Sequence, residues 1–121
     1  MLGGGRRLQE DMSVNWVERG KVAPVKNQGD DCGSCWAFTA TTVQESMQAI
    51  KTGNPVVRLS EQEGVDCDKG NASYGCDGGE MYSYWEMSSK IGSQAYATYE
   101  YEGRDGKCRN QKGKTIESRA K

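Results

Sequence analysis

Apolar positions along the chain outline three helices. From Cys35 onward, Trp36, Ala40, Val43, Met47 and Ile50 recur at steps of four, three, four and three, which is one stripe of an α-helix, and Gly53 supplies its stop. Ser60-Glu61-Gln62-Glu63 reads as a capping box, the Ser60 hydroxyl accepting from the Glu63 N–H while the Glu63 carboxylate reaches back to the Ser60 N–H. A short second helix is predicted to begin there. Gly64 lies inside it at a cost of about 1 kcal/mol relative to alanine, so that helix depends on packing. Gly78-Gly79 opens a third, in which Met81, Tyr84, Trp85, Ser88 and Ile91 share a face before Gly92 ends the pattern. Upstream, Val14, Trp16, Val17, Val22 and Val25 suggest a short extended stretch broken at Pro24. Residues 1–13 are glycine-rich and then polar, as in a flexible leader, and residues 109–121 read as a tail with Ile116 its one large aliphatic residue.

Composition changes this picture in one respect. Leu, Ile, Val and Phe make up only fifteen of the 121 residues, below the roughly 20% at which a folded core becomes doubtful. Disorder would also need a high net charge, whereas 16 basic residues nearly cancel 17 acidic ones. Three Trp, six Tyr and five Met can bury large areas, and five Cys offer covalent staples for a single small module. Near-neutral charge without a basic stripe argues against nucleic acid as a partner. No stretch approaches 18 apolar residues, so no membrane span is expected. The first residues also lack the apolar run of a secretory signal, while the cysteines suit an oxidising compartment. A fragment or trimmed chain reconciles the two.

Five cysteines are an odd number, so one must stay free or pair elsewhere. The pair Cys32-Gly33-Ser34-Cys35 fits three chemistries: a redox couple, half a zinc site, or a nucleophile beside a structural cysteine. Zinc would want a second close pair or histidines, but Cys67, Cys76 and Cys108 are widely spaced and the chain has no histidine, so no metal is expected and no cofactor is implied. Thiol-disulfide exchange would follow a buried strand, whereas Asn27-Gln28-Gly29-Asp30-Asp31 is a polar turn; it would require Cys32 and Cys35 to bridge each other. A nucleophile at Cys35 would stand in a helix's first turn, where unpaired N–H groups favour a thiolate.

The run Cys32-Gly-Ser-Cys-Trp-Ala-Phe38 resembles the signature around the nucleophile of papain-like, cathepsin-like cysteine peptidases. Val14-Asn-Trp16, Pro24-Val-Lys-Asn-Gln-Gly29, Leu59-Ser-Glu-Gln-Glu63, Val65-Asp-Cys67, Gly75-Cys-Asp-Gly-Gly79 and Tyr101-Glu-Gly103 also resemble segments of that family, in order. The resemblance covers residues 14–108 and implies the mainly helical, disulfide-stapled left domain of a two-domain α+β fold, with the tail leading toward a right domain absent from this chain.

Carried onto these residues, the resemblance implies that Cys35 is the nucleophile and that the Gln28 amide helps hold the oxyanion. Gly33, Gly78 and Gly79 would line the path of an extended substrate backbone, and Met81 would wall an apolar pocket. Cys32 would bridge to Cys76 and Cys67 to Cys108, leaving Cys35 free. The implied substrate is a peptide or protein, cleaved through an acyl-enzyme in the lysosome or outside the cell. Asn71 begins a glycosylation triplet consistent with such a location. The family's histidine and asparagine belong to the right domain, so the 121 residues alone are expected to be inactive. A noncatalytic protein binding peptide or a partner through the glycine strip is the alternative. Three departures stand out: an extra residue at Asp30-Asp31, Gly64 where an apolar residue is usual, and Glu100 in place of proline.

Overall fold

The computed structural model of the chain describes residues 13–68 and 72–120, so the leader, apart from Ser13, lies outside the described residues, as does Asn71. Three α-helices occur among them: α1, Cys35–Thr52; α2, Glu61–Cys67; and α3, Met81–Ile91. Short 3-10 turns lie at Gly75–Asp77, between α2 and α3, and at Tyr96–Thr98, after α3. Instead of a sheet, the described residues form isolated antiparallel bridges, Leu59 with Ala95, Ser73 with Gly79, and Ser93 with Ser118. This is the mainly helical, doubly cross-linked architecture expected of a papain-type left domain.

α1 is the centre of the module and packs against both α2 and α3. It ends as the glycine predicted, with Gly53 at φ 76° and its N–H on the Ala49 carbonyl. The inward face differs from the apolar stripe. Trp36, Ala37 and Ala40 are buried with Val65, Tyr84 and Met87, but one turn further on Thr41, Gln44 and Glu45 face inward. Val43 and Met47 stay outside, 44% and 62% exposed. With Trp85 and Ile116 they line an apolar groove on the outer face of α1.

Polar side chains can occupy the interior because most of their polar atoms find partners there, Gln44 Oε1, Glu45 Oε1 and Ser73 Oγ being exceptions among the described residues. Glu45 accepts from the Leu59 N–H (2.7 Å) and from Lys26 Nζ (2.6 Å), and Lys26 also reaches Glu61 (2.7 Å). Gln44 donates to Ser88 Oγ (2.7 Å) and Ser118 Oγ (3.1 Å). These bonds substitute directional links for the aliphatic mass the sequence lacks.

Only half of the capping box forms at α2. Ser60 Oγ accepts from the Glu63 N–H at 2.9 Å, but the Ser60 N–H donates to the Gln94 carbonyl. The Glu63 carboxylate instead takes the Gln94 N–H and Lys114 Nζ, each at 2.8 Å. A buried lysine offers a carboxylate more than a backbone N–H that already has an acceptor. Lys114 therefore ties the expected tail to α2, and Ser118 bridges to Ser93. The described part of 109–121 is packed against the module.

Gly64 also has a tertiary reason. A Cβ there would lie 2.6 Å and 2.8 Å from two ring carbons of Tyr84, whose fully buried ring occupies the volume beside α2. The Tyr84 hydroxyl is held by the Ser60 carbonyl (3.2 Å) and Ser93 Oγ (3.1 Å). Near the amino end, residues 16–20 form a hydrogen-bonded turn where an extended stretch was expected; Lys21 N–H closes it on the Trp16 carbonyl at 2.9 Å.

Candidate active site

Cys35 is the first residue of α1, exposed, and the one free cysteine of the five. Its neighbour three residues back is buried and bonded to Cys76. Cys67, at the end of α2, is bonded to Cys108. The pairing offers no Cys32–Cys35 bridge, which the thiol-disulfide exchange reading required.

The Cys32–Cys76 link clamps the lead-in of α1 onto the turn at Gly75–Asp77. Gly33 N–H donates to the Cys76 carbonyl at 2.8 Å, and a Cβ on Gly33 would meet that same oxygen at 2.8 Å. Only glycine allows that approach. Trp36 completes the clamp by donating Nε1–H to the Gly75 carbonyl at 3.0 Å.

Gly78 and Gly79 lie alongside. Gly78 takes φ 108°, a left-handed conformation that side chains rarely adopt, and a Cβ on it would meet nothing. The Gly79 position is hemmed by the Trp36 ring (3.0 Å) and the Ala72 carbonyl (3.1 Å). Hydrogen bonds from Tyr74 N–H to the Gly78 carbonyl and from Glu80 N–H to the Ala72 carbonyl, both 2.9 Å, hold the strip extended. Met81 follows at the start of α3, 40% exposed, with Tyr82 beside it. One sulfur, one glycine strip and one exposed thioether thus belong to segments joined through Trp36 and a disulfide.

Gln28 is half-buried, and its side-chain amide donates to the Cys32 carbonyl at 3.1 Å. Asp30 and Asp31, where an extra residue was expected, form a bend after Gly29, which has φ 80° and an N–H held by Asn27 Oδ1 (2.9 Å). The Gln28 carbonyl accepts from the Tyr101 hydroxyl at 2.6 Å. Tyr101 had no site role assigned from the sequence; its place in the segment Tyr101-Glu-Gly103 was the available signal.

Among the described residues no group of three or more His, Cys, Asp or Glu side chains could hold a metal ion, and no helix is long and apolar enough to cross a membrane. Two buried carboxyls away from the thiol are perturbed. Burial pushes Glu45 above the usual carboxylate range against the pull of Lys26, and burial likewise raises Asp68 against its bond from Ser83.

Comparison with known proteins gives a consistent result. The family model described as papain family cysteine protease matches residues 11–121. Procathepsin L of Mus musculus is 42% identical over 112 residues, covering 87% of this chain and 33% of the relative. Papain of Carica papaya is 46% identical over 97 residues, covering 80% of this chain and 27% of papain's own sequence. Among solved structures, a cysteine protease of Carica candamarcensis superposes with TM-score 0.79 at 37% identity, over 88% of this chain and 48% of that one. The proform of the ragweed pollen cysteine protease superposes with TM-score 0.76 at 44% identity, over 85% of this chain and 30% of that one. The chain spans between about a fifth and a third of the length of the curated relatives it matches.

Proposed function

The chain belongs to the papain family of cysteine proteases, and from that premise we propose that it carries the nucleophile half of a cysteine endopeptidase. The thiolate of Cys35 adds to a peptide carbonyl, and the Gln28 amide with the Cys35 N–H holds the oxyanion. The C–N bond then breaks, with a proton delivered to the leaving amine, and water releases the acid from the thioester. An imidazole must move those protons, and these 121 residues contain no histidine. It comes, in this reading, with an orienting asparagine from a right domain outside them.

A peptide or protein substrate would lie extended along Gly33, Gly78 and Gly79, with one apolar side chain toward Met81. The observation that carries the proposal is the exposed Cys35 at the head of α1, left free while the other four cysteines are paired. The groove of Val43, Met47, Trp85 and Ile116 supports a docking face for the right domain, since contiguous exposed apolar surface marks such contacts. Two disulfides favour an oxidising location, lysosomal or extracellular. In domain terms the reading is a leader at 1–13, a left domain at 14–108 and a segment at 109–121 leading onward.

A thiol-directed peptidyl epoxide tests the substrate path. It should add to Cys35 faster than the same epoxide without its peptide portion, and Gly78→Val should erase the difference; equal rates in the unmodified chain would refute the path. The open space beside Gly78, where a Cβ would meet nothing, also suits a second reading, noncatalytic binding of peptide or partner through the glycine strip. Peptide hydrolysis on adding the histidine-bearing half of papain, lost in Cys35→Ser, would separate the two.

A further inference from the structure

A single phenol joins two segments of the candidate site that lie 67 and 73 residues from it in sequence. The Tyr101 hydroxyl donates to the Gln28 carbonyl at 2.6 Å and stands 2.8 Å from Ser34 Oγ. Its one proton is committed to the carbonyl, which can only accept, so Ser34 is the donor in the second contact. Ser34 is fully buried and occupies the N-cap position of α1, yet its side chain makes no cap hydrogen bond. A serine there ordinarily turns its oxygen onto the second or third N–H of the helix. The Ala37 and Phe38 N–H groups donate to the Ser34 carbonyl at 2.9 Å and 3.1 Å, while those of Cys35 and Trp36 meet no backbone acceptor among the described residues.

The phenol cannot follow a rotating serine. Its ring stands edge-on to Phe38 with centroids 4.9 Å apart. The following loop is anchored by the buried Gln62, which accepts from the Glu102 N–H (2.8 Å) and donates to the Arg104 carbonyl (2.8 Å).

We infer that Tyr101 is a positioning residue of the thiol site, holding the capping serine off α1 so that first-turn N–H groups stay free for negative charge at Cys35. By the same hydroxyl it fixes the backbone of Gln28. The inference rests on the reading of Cys35 as nucleophile, because only a site that gathers negative charge gains from an uncapped helix.

The test compares the chain with Tyr101→Phe, Ser34→Ala and the double variant, reading the thiolate fraction at fixed pH by its far-ultraviolet absorbance; Cys35 is the one free thiol. Tyr101→Phe should lower that fraction about two- to five-fold, the factor a helix-terminus charge interaction supplies. Ser34→Ala alone should change nothing, and the double variant should return to the starting level because no hydroxyl remains to cap the helix. A mere packing loss would be deepened by the second truncation. An unchanged fraction in Tyr101→Phe, or no recovery in the double variant, overturns the inference. If Tyr101→Phe does not fold, amide hydrogen exchange of the unmodified chain decides: the Trp36 N–H should exchange faster than those of Ala37 and Phe38, and equal protection overturns it. These readouts need no turnover, so a failed hydrolysis assay and a failed capping result remain distinct.

Discussion

Gly64→Ala inverts the usual expectation for glycine in a helix. Replacing a helical glycine by alanine ordinarily gains about 1 kcal/mol. In α2 the new methyl would sit 2.6 Å from Tyr84 Cδ2 and 2.8 Å from Cε2, well inside contact distance. Tyr84 is fully buried, and any retreat of its ring strains the hydroxyl's bonds to Ser60 and Ser93. Overpacking of this kind costs about 1–3 kcal/mol, and a weakened hydrogen bond about 0.5–1.5 kcal/mol more. Subtracting the helix gain leaves a net loss of about 1–3 kcal/mol, or roughly 4–12 °C in melting temperature for a domain of this size. Thermal and urea unfolding of the oxidised chain measure it. In a Tyr84→Ala background the same substitution should become neutral or stabilising, since the obstructing ring is gone. A higher melting temperature for Gly64→Ala alone would refute the reasoning.

Other expected outcomes follow from the same contacts. Lys114→Met leaves the Glu63 carboxylate buried without its cation and should lower stability by about 3–5 kcal/mol in urea unfolding; a loss below 1 kcal/mol would mean the 109–120 segment is not held there. Burial raises Glu45 in the folded state above the ordinary 4.5, so its contribution is complete below that pH and is lost as pH rises through the raised value. Glu45→Gln should therefore flatten the fall of melting temperature with pH above about 4.5, and an unchanged profile would contradict the assignment. Removing the Cys67–Cys108 link by paired serine substitution should cost about 4 kcal/mol, read by urea unfolding under nonreducing conditions. Purified 121-residue chain, lacking histidine, should show peptidase turnover about 10⁶-fold below an intact triad, and Cys35-dependent hydrolysis of a fluorogenic dipeptide at ordinary rates would refute that.

Local rules carried far in this chain where one residue's own conformation decides. Gly53 stops α1 because its φ of 76° is open to glycine, and Ser60 caps α2 because its oxygen meets an N–H three residues on. The run from Cys32 to Phe38 made the thiol chemistry legible, because a nucleophile, its helix and its flanking staple are contiguous in sequence. Tertiary structure decided whatever depended on partners far along the chain. Apolar spacing set Val43 and Met47 on the same face as Ala40, but Lys26, Leu59 and Ser118 supplied bonds that drew Glu45 and Gln44 inward. The Glu63 carboxylate went to Lys114 rather than back to its own cap, Gly64 was explained by a ring twenty residues away, and Tyr101 proved to be a hydrogen-bonding strut. Periodicity reports which faces a helix owns; which face is buried depends on where the rest of the chain can satisfy its polar groups, and that is settled only when the segments meet.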